Sequence, residues 1–506
     1  MAITRLDAAD IGSSGYWLHR LSRQLAEQQK RVQLYDDYYA GRHRLSFATA
    51  KFQEAFGDLF GAFAVNLCGL VVDAVAERLH VDGFRMDSVQ ADGDAWRIWQ
   101  ANQLDAESEL AHREALIKGM AFATVWSWEA ERRPWWLRAR RDMEIPKITY
   151  EDATEVVVDH DPGDRRVRRA ALKMWSADEK TTHAVLYLPD RIEWWRRPRR
   201  SGQALTGGSL AGWEPLESDG QTWPLANPLG VVPVIPLTNR SRLVATPMSD
   251  LVDIVPIQDA YNKIVADMIV ASEFAAYPQR YAIGLELPGS EDGVQAPLIA
   301  AVSRLWEGKV PPDFDSSRMP APQFGQFQAA DLSNYTKAAN MLLQVAAFVS
   351  RTPPHYFIGQ PGQLPSGESL QSAETGLVAK VKSRQRPLGE GHEEVIRLAF
   401  AAVGDPRSRV INSEVKWGDA ETRSRAQHVD ALLKLKTLEV PLPQLWEDYG
   451  YSPTQIARFR EMRAQMALEL GATFDPFATP ESIAVRAIEA TRTPPTPLAD
   501  AEEPAA

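Results

Sequence analysis

The chain of 506 residues contains a single cysteine, Cys68. One cysteine cannot form an internal disulfide, which excludes a small secreted scaffold held together by such bonds. Long apolar runs are also missing. The best candidate, residues 60–72, carries Asn66, is followed by Asp73 and is shorter than the roughly 20 residues that span a membrane. Residues 1–7 lack the apolar segment of a signal peptide. We therefore expect a soluble protein made in a reducing cytoplasm.

Positive charge is in the minority, with 56 Lys and Arg against 67 Asp and Glu and a net charge of −11. Proteins that hold DNA tightly neutralise phosphates with clustered basic side chains and are usually basic. The sequence therefore argues against a tight DNA binder. Its 44% hydrophobic content is enough for a sizeable core. Its length fits several domains or one large protomer of an assembly.

Familiar catalytic motifs are missing as well. Gly308-Lys309 is followed by Val310 rather than by Ser or Thr, so it does not form a Walker phosphate loop. The segment 391–394 is only half of a zinc-binding H-E-x-x-H motif, and no G-x-S-x-G elbow occurs. Cys68 lies in an apolar segment typical of a buried, inert thiol. These patterns favour a structural protein or a binding module, and no cofactor is expected.

The nearest approach to a metal site is Asp159-His160-Asp161 with Asp164. Carboxylate oxygens at this spacing would suit a hard cation. The Pro-Gly pair at 162–163 explains the same spacing as a β turn capped by aspartate. We favour the turn, and no metal is expected.

Hydrophobic spacing predicts helices over residues 16–40, 52–79 and 94–119. Short β-branched and aromatic runs separated by turn residues then predict an antiparallel β meander over 123–238. Its 131–200 window is rich in Arg and Trp. This composition suits either the binding of single-stranded nucleic acid or packing in a core or at a protein interface, and core or interface packing is the favoured interpretation.

The second half of the chain is predicted to be mainly helical. Ser249 is the expected N-cap of its first helix, and Pro256 marks an expected kink or restart. A strand is expected at 409–417, and the proline-rich residues 473–506 are expected to be disordered. The predicted helices cover residues 249–276, 328–350, 367–403, 419–438 and 453–470.

Four blocks of sequence occur in a fixed order between residues 35 and 400. They are Tyr38–Gly41 with Asn66, Val71–Leu79 and Gly83-Phe84; Leu237–Arg240 with Ser249–Leu251 and Gln258–Lys263; Ala276–Gly284; and Pro353–Phe357 with Pro365–Leu370. Taken together, the chain resembles the portal (head-to-tail connector) proteins of tailed double-stranded DNA bacteriophages, especially those of actinobacterial hosts. The order and spacing of the blocks make this resemblance specific.

The resemblance implies an α+β fold, mainly α, in a ring of usually about twelve subunits around a DNA channel. Each protomer would have a wing, a two-helix stem, a small α/β clip and a helical crown. The implied divisions are the wing at 1–248 (N-terminal helices and the β meander 123–238) and 367–405, stem helices at 249–276 and 328–350, the clip at 277–327, a tunnel loop at 351–366, the crown at 406–472 and a disordered tail at 473–506.

The resemblance also implies positions for functional residues. Asp259, Lys263 and Asp267 stand at i, i+4 and i+8 on the first stem helix and are candidates for the channel lining. A mixed or acidic wall would let DNA slide without sticking. The alternative, weighed equally, is that these charges form salt links between stem helices of neighbouring subunits.

The tunnel loop and the clip supply two further sets of candidates. His355, Tyr356 and Phe357 in the tunnel loop would either touch DNA or pack against the neighbouring subunit. Packing is favoured because removing apolar surface from water is energetically favourable. The clip candidates for docking a terminase or an adaptor are Arg280, Trp306 and Lys309.

The implied function is a portal ring at the capsid vertex, the conduit for DNA packaging and ejection and the docking site for terminase and head–tail connector proteins. Its partners would be further copies of the chain, the large terminase, a connector or adaptor, the major capsid and scaffolding proteins, and double-stranded DNA without sequence specificity. No membrane is expected. The implied location is the virion, after assembly in the host bacterial cytoplasm.

Two alternatives stay open. The first is another head–tail structural, adaptor or minor capsid protein, although adaptors are usually much smaller. The second is a nucleotidyl- or phosphoryl-transfer enzyme, which needs a carboxylate pair or a phosphate loop that the sequence does not display.

Overall fold

The computed structural model describes residues 6–42, 65–87, 91–126, 145–178, 180–198, 206–216, 223–276, 280–283, 323–326, 331–358, 367–421 and 425–469. These residues form helices together with antiparallel sheets, so the predicted α+β class is confirmed. None of the helices among them is long and apolar enough to cross a membrane.

The N-terminal helices begin at side-chain caps. Helix α1 (Ser14–Tyr39) follows Ser13, whose hydroxyl accepts a hydrogen bond from the backbone N–H of Tyr16. Helix α2 (Leu67–Ala76) follows Asn66, whose side chain caps it in the same way. The helix predicted at 16–40 is confirmed; of the segment predicted at 52–79, residues 52–64 lie outside the described residues.

The single helix predicted at 94–119 is wrong, because two helices occupy this range. They are α3 (Gly93–Ala101) and α4 (Leu104–Lys118). Between them Gln103 adopts a left-handed backbone (φ 58°), and Asn102 accepts a hydrogen bond from the N–H of Ile148 at 2.9 Å. The chain therefore breaks the helix in order to anchor a neighbouring strand.

The predicted β meander is present but is divided between two sheets. A three-stranded sheet has the order β10-β2-β3, and a second sheet runs β4-β5-β6-β7-β8 with β9 also paired to β7. The strands are β2 (Met120–Trp126), β3 (Lys147–Glu151), β4 (Val156–His160), β5 (Arg168–Asp178), β6 (Thr181–Tyr187), β7 (Arg191–Pro198), β8 (Glu214–Pro215), β9 (Leu225–Ala226) and β10 (Val234–Thr238).

Both faces of the second sheet are covered, because alternate side chains of a strand point to opposite faces. Leu172 and Met174 on β5 pack with Leu21 of α1. Ala171, on the opposite face, packs with Phe122 of β2. The sheet is thus held between α1 and the three-stranded sheet.

A helical hairpin follows the sheets. Helix α5 (Val255–Ala276) contacts α6 (Ser333–Ser350), and between them β11 (Arg280–Ile283) pairs with β12 (Gln323–Gln326). Helix α5 begins at Val255 rather than at residue 249. Its Pro256 lies in the first turn, where a missing N–H costs nothing.

The C-terminal part returns to the N-terminal helices. Helix α7 (Gly367–Ala402) leads to β13 (Ser413–Trp417), which pairs with β1 (Val81–Met86). The remaining helices are α8 (Arg425–Thr437), α9 (Leu442–Asp448), which was not predicted, and α10 (Pro453–Glu469).

Helix α7 joins two apolar clusters. Its residue Leu388 belongs to a first cluster, which contains side chains of α2 and α4. Val395 and Phe400 belong to a second cluster, with side chains of α3, β1 and β13. Residues at both ends of the sequence therefore share these cores.

Candidate functional site

The start of α5 is fixed to the N-terminal helices by buried polar contacts. The hydroxyl of Tyr38 donates to Oδ1 of Asp259 over 2.6 Å. The side chain of Gln258 accepts from the N–H of Leu67 at 2.7 Å and donates to the carbonyl of Val65 at 2.6 Å. Asp259 is only 8% exposed in the protomer. This candidate for the channel lining thus makes an internal contact.

The other two charges of the predicted series are half-exposed on α5. Lys263 forms an ion pair with Asp267, one turn further along, and their side chains are 32% and 34% exposed. Such a pair contributes about 0.5 kcal/mol to stability. About a third of each side chain is exposed on the protomer surface.

A buried carboxylate joins the segment before α5 to α7. Asp250 lies 3.0 Å from the amine of Lys380 and 3.0 Å from the guanidinium of Arg384, and its Oδ1 accepts from the amide of Asn239. Burial by itself would raise the pKa of Asp250, but the attraction of Lys380 and then of Arg384 holds it below its usual value. The carboxylate therefore stays charged and ties the hairpin to the rest of the chain.

The predicted tunnel-loop residues form part of a packed turn. Tyr356 and Phe357 lie against the first apolar cluster of their own chain, and His355 meets the Tyr356 ring edge-on at 4.8 Å. The Tyr356 hydroxyl accepts from Arg78 at 3.1 Å and donates to Glu374 at 3.4 Å. The aromatic pair therefore packs against its own protomer, and the favoured packing against the neighbouring subunit stays a prediction. Residues 359–366 of this loop lie outside the described residues.

Of the predicted clip, residues 277–327, the described residues are those of the paired strands β11 and β12. Arg280 stands opposite Gln326 in the β11–β12 register. The other two candidates, Trp306 and Lys309, lie outside the described residues. Their proposed role therefore stays a prediction.

The Asp159 segment folds as the turn interpretation predicts. Oδ1 of Asp161 accepts from the N–H groups of Gly163 and Asp164, which caps the turn. Asp159 instead bonds with Arg20 of α1 and Arg169 of β5. Within the described ranges, no three His, Cys, Asp or Glu side chains come together as a metal site.

Arginines of the Arg- and Trp-rich sheet lie over tryptophans of neighbouring segments. The Arg197 guanidinium lies over the Trp213 ring at 4.7 Å, and Arg169 lies over Trp17 at 5.6 Å. Trp195 is buried, whereas its neighbour Trp194 is 38% exposed. The arrangement supports core packing, as favoured from the sequence.

Cys68 is fully buried, and burial raises the pKa of its thiol to about 12. The predicted burial of this thiol is thereby confirmed, and its lack of reactivity stays a prediction.

The structure also brings together residues that the sequence did not reveal. His112 and His392, 280 positions apart, meet in the interior through their Nε2 atoms at 2.7 Å. Asp250 and its two cations are likewise joined only by the fold. No local spacing connects such residues, so an analysis of motifs could not find them.

Comparison with known proteins identifies the family of the chain. Residues 18–452 match the family described as phage portal protein, SPP1 Gp6-like. The chain is 30% identical over 427 residues to the portal protein of Mycobacterium phage L5, covering 79% of each chain. It is 29% identical over 418 residues to the portal protein of Mycobacterium phage D29, covering 78% of this chain and 77% of that protein. The chain therefore belongs to the SPP1 Gp6-like family of phage portal proteins.

Proposed function

We propose that the chain assembles into a ring of about twelve copies at one capsid vertex and forms the conduit through which genomic DNA is packaged and ejected. Membership of the portal family supports a homo-oligomeric ring with DNA passing through it. The observation that carries the proposal in the protomer itself is the helical hairpin α5–α6, one face of which is apolar and uncovered.

The uncovered face belongs to α6. Met341, Val345, Phe348 and Val349 recur at i, i+4, i+7 and i+8, so they lie on one side of the helix. Phe348 is 86% exposed and Met341 is 65% exposed. Burying a side chain of this kind contributes about 1.5–3 kcal/mol. A neighbouring subunit of the ring is the surface that we propose covers it.

The rest of the chain fits the divisions of a portal protomer. The two clusters shared by α7 and the N-terminal elements support one wing, formed by residues 1–248 and 367–405. Helices α5 and α6 would be the stem, residues 277–327 the clip, 351–366 the tunnel loop and 406–472 the crown.

We assign the channel lining to Lys263 and Asp267 rather than to Asp259, whose carboxylate bonds to Tyr38. A balanced ion pair presents little net charge to a polyanion, which suits sliding rather than binding. The alternative use of the same pair is a salt link to the next stem helix of the ring.

Partners follow from the general role of the family. Terminase and a connector or adaptor would dock on the clip, with Arg280, Trp306 and Lys309 as candidate contacts, while capsid and scaffolding proteins would meet the wing. The ATPase activity would reside in the terminase, and this chain would be structural. The match over most of the chain favours a portal over an adaptor or minor capsid protein.

Mass photometry of Phe348→Asp tests the proposed subunit contact. The unsubstituted protein should run as a ring of about a dozen copies, and the variant should shift strongly to smaller species. The matched control is Ile411→Asp, an equally exposed apolar residue (89%) away from the hairpin. Intact rings of the Phe348→Asp variant would show that this face of α6 does not lie in the subunit interface.

A further inference from the structure

Two histidines meet where the two apolar clusters adjoin. His112 on α4 and His392 on α7 are both fully buried, with their Nε2 atoms 2.7 Å apart. On α7, Leu388 belongs to the first cluster and Val395 to the second, so His392 lies between them. The ring of Trp417 lies 5.5 Å from that of His112. The pair is thus a polar seam enclosed by apolar and aromatic side chains.

The partners of the pair determine where its protons lie. The carbonyl of Leu79 can only accept, so Nδ1 of His112 donates to it over 3.0 Å and Nε2 of His112 is left as an acceptor. Nε2 of His392 must then be the donor across the 2.7 Å contact. Its Nδ1 accepts from the hydroxyl of Tyr150 at 3.1 Å. The chain of hydrogen bonds is complete when both rings are neutral.

One more proton disturbs this chain of hydrogen bonds. Placed on Nε2 of His112, it would set two N–H donors against each other at 2.7 Å. Placed on Nδ1 of His392, it would reverse the bond to Tyr150, whose hydroxyl oxygen would then have to accept. In either position a charged ring would be enclosed by the two clusters, and an uncompensated buried charge is costly.

We propose that the chain Tyr150–His392–His112–Leu79, which we call the histidine clasp, is a pH-sensitive device that holds α7 against α4 and β3 at neutral pH and opens when the interior takes up a proton. It connects four elements: β3, α7, α4 and the segment after α2. Its opening would loosen α7, the helix that follows the tunnel loop.

The shifts in the histidine pKa values agree with the geometry. Burial lowers the pKa of His112 to about 4 and that of His392 well below its ordinary value. Exposed histidines titrate at about 6.5, so the open state binds more protons than the closed state below that pH. The closed state therefore loses stability as the pH falls below about 6.5, and the effect vanishes above it.

Other titratable groups lie around the clasp. His80, after α2, repels a proton on His112, and Glu107 on α4 acts on Tyr150. Glu393, next to His392, is half-buried, and burial together with Glu390 raises its pKa to about 7. Glu393 therefore has the opposite effect on the pH dependence. It carries a proton in the closed state, and opening would release that proton.

Hydrogen exchange of the assembled full-length protein tests the clasp. Exchange of α4 and of residues 388–396 would be measured between pH 7.5 and pH 5, after correction for the intrinsic pH dependence of amide exchange. Each additional proton bound by the open state increases opening about tenfold per pH unit. Opening takes up two histidine protons and releases one from Glu393, so below pH 6 we expect opening to increase about tenfold for each pH unit of acidification. In Glu393→Gln, where no proton is released, the increase should approach a hundredfold per unit.

Variants separate the clasp from general acid sensitivity. His112→Leu with His392→Leu should abolish the increase in opening on acidification, so that only the opposite dependence of Glu393 remains. Tyr150→Phe, which keeps the ring packing, removes the donor to Nδ1 of His392 and should increase opening by a similar factor at every pH. His183→Gln, a half-buried histidine outside the clasp, should behave as the parent protein does. If the double variant fails to fold, Glu393→Gln decides, because its opening should still increase on acidification. The proposal is overturned if exchange in α4 and α7 follows pH equally in the parent and in the double variant, or does not increase on acidification in Glu393→Gln.

Discussion

Asp250 and Lys380 lie 3.0 Å apart in the interior and join the segment leading into α5 to the middle of α7. Arg384, one turn further along α7, approaches the same carboxylate at 3.0 Å. The proposed stem is thereby attached to the proposed wing through a charged group rather than through apolar packing alone. Its geometry makes the attachment sensitive to the loss of a single charge.

Replacing Asp250 by Asn should therefore destabilise the protein strongly. The change leaves Lys380 and Arg384 as uncompensated cations, and breaking a buried ion pair in this way costs about 3–5 kcal/mol. Urea unfolding measures the loss. Asp253→Asn is the control, since Asp253 is 48% exposed in its pair with Arg240 and its loss should cost less than about 1 kcal/mol. Equal effects of the two changes would contradict the assignment.

The contribution of Asp250 should also depend on pH in a defined direction. Its pKa is lowered in the folded protein, so the stabilisation is complete above the unfolded value of about 3.9. It is lost as the pH falls through the lower folded value. The stability difference between the parent and Asp250→Asn should thus be constant from pH 8 to pH 5 and shrink in stronger acid. A difference that grows on acidification would show that the carboxylate is not held ionised.

Gly391 allows α7 to approach β10 closely. A Cβ at this position would clash with Cδ2 of Leu237, which is fully buried. Gly391→Ala should lower the melting temperature, because overpacking costs about 1–3 kcal/mol and exceeds the helix-propensity gain of about 1 kcal/mol. Gly376→Ala, at an exposed position of the same helix, has room for the methyl group and should raise the melting temperature. If both changes raise the melting temperature, α7 is not closely packed here.

The Lys263–Asp267 pair should influence DNA movement if it lines the channel. Asp267→Lys would convert a balanced pair into two positive charges, which should slow packaging in vitro through phosphate binding. The control exchanges the two residues (Lys263→Asp with Asp267→Lys), which keeps the net charge and should package normally. Unchanged packaging by intact Asp267→Lys rings would remove these residues from the channel wall.

Cys68 should be unreactive towards thiol reagents at neutral pH. Its thiol is fully buried, and burial raises its pKa to about 12, so almost no thiolate is available. Labelling of the folded protein should be negligible, whereas labelling in denaturant should be complete. Rapid labelling of the native protein would mean that α2 opens readily.

The long helices and strands can be predicted from the sequence because their hydrophobic spacing is regular. Helix α1 and the strands of the meander follow the predicted pattern. The break at Asn102 was not predicted, because it depends on a bond to Ile148 in a distant strand. The sequence predicts too early a start for α5, because Ser249 resembles an N-cap. In the structure its hydroxyl accepts a local hydrogen bond from the N–H of Leu251, before the helix begins.

Candidate residues were harder to place than helices. The spacing of Asp259, Lys263 and Asp267 indicated one helical face, and the neighbouring pair of Lys263 and Asp267 agrees with it. The spacing could not reveal that Tyr38 covers Asp259. The histidine clasp depends entirely on long-range packing, so no local spacing of residues in the sequence predicts it.

Cryo-electron microscopy of the purified full-length protein tests the central claim most directly. The account predicts a closed ring of about twelve copies with a central hole, lined by α5–α6 hairpins whose Phe348 side chains pack against the neighbouring subunit. A monomer, an assembly without a hole, or a ring with these hairpins on its outer rim would contradict it.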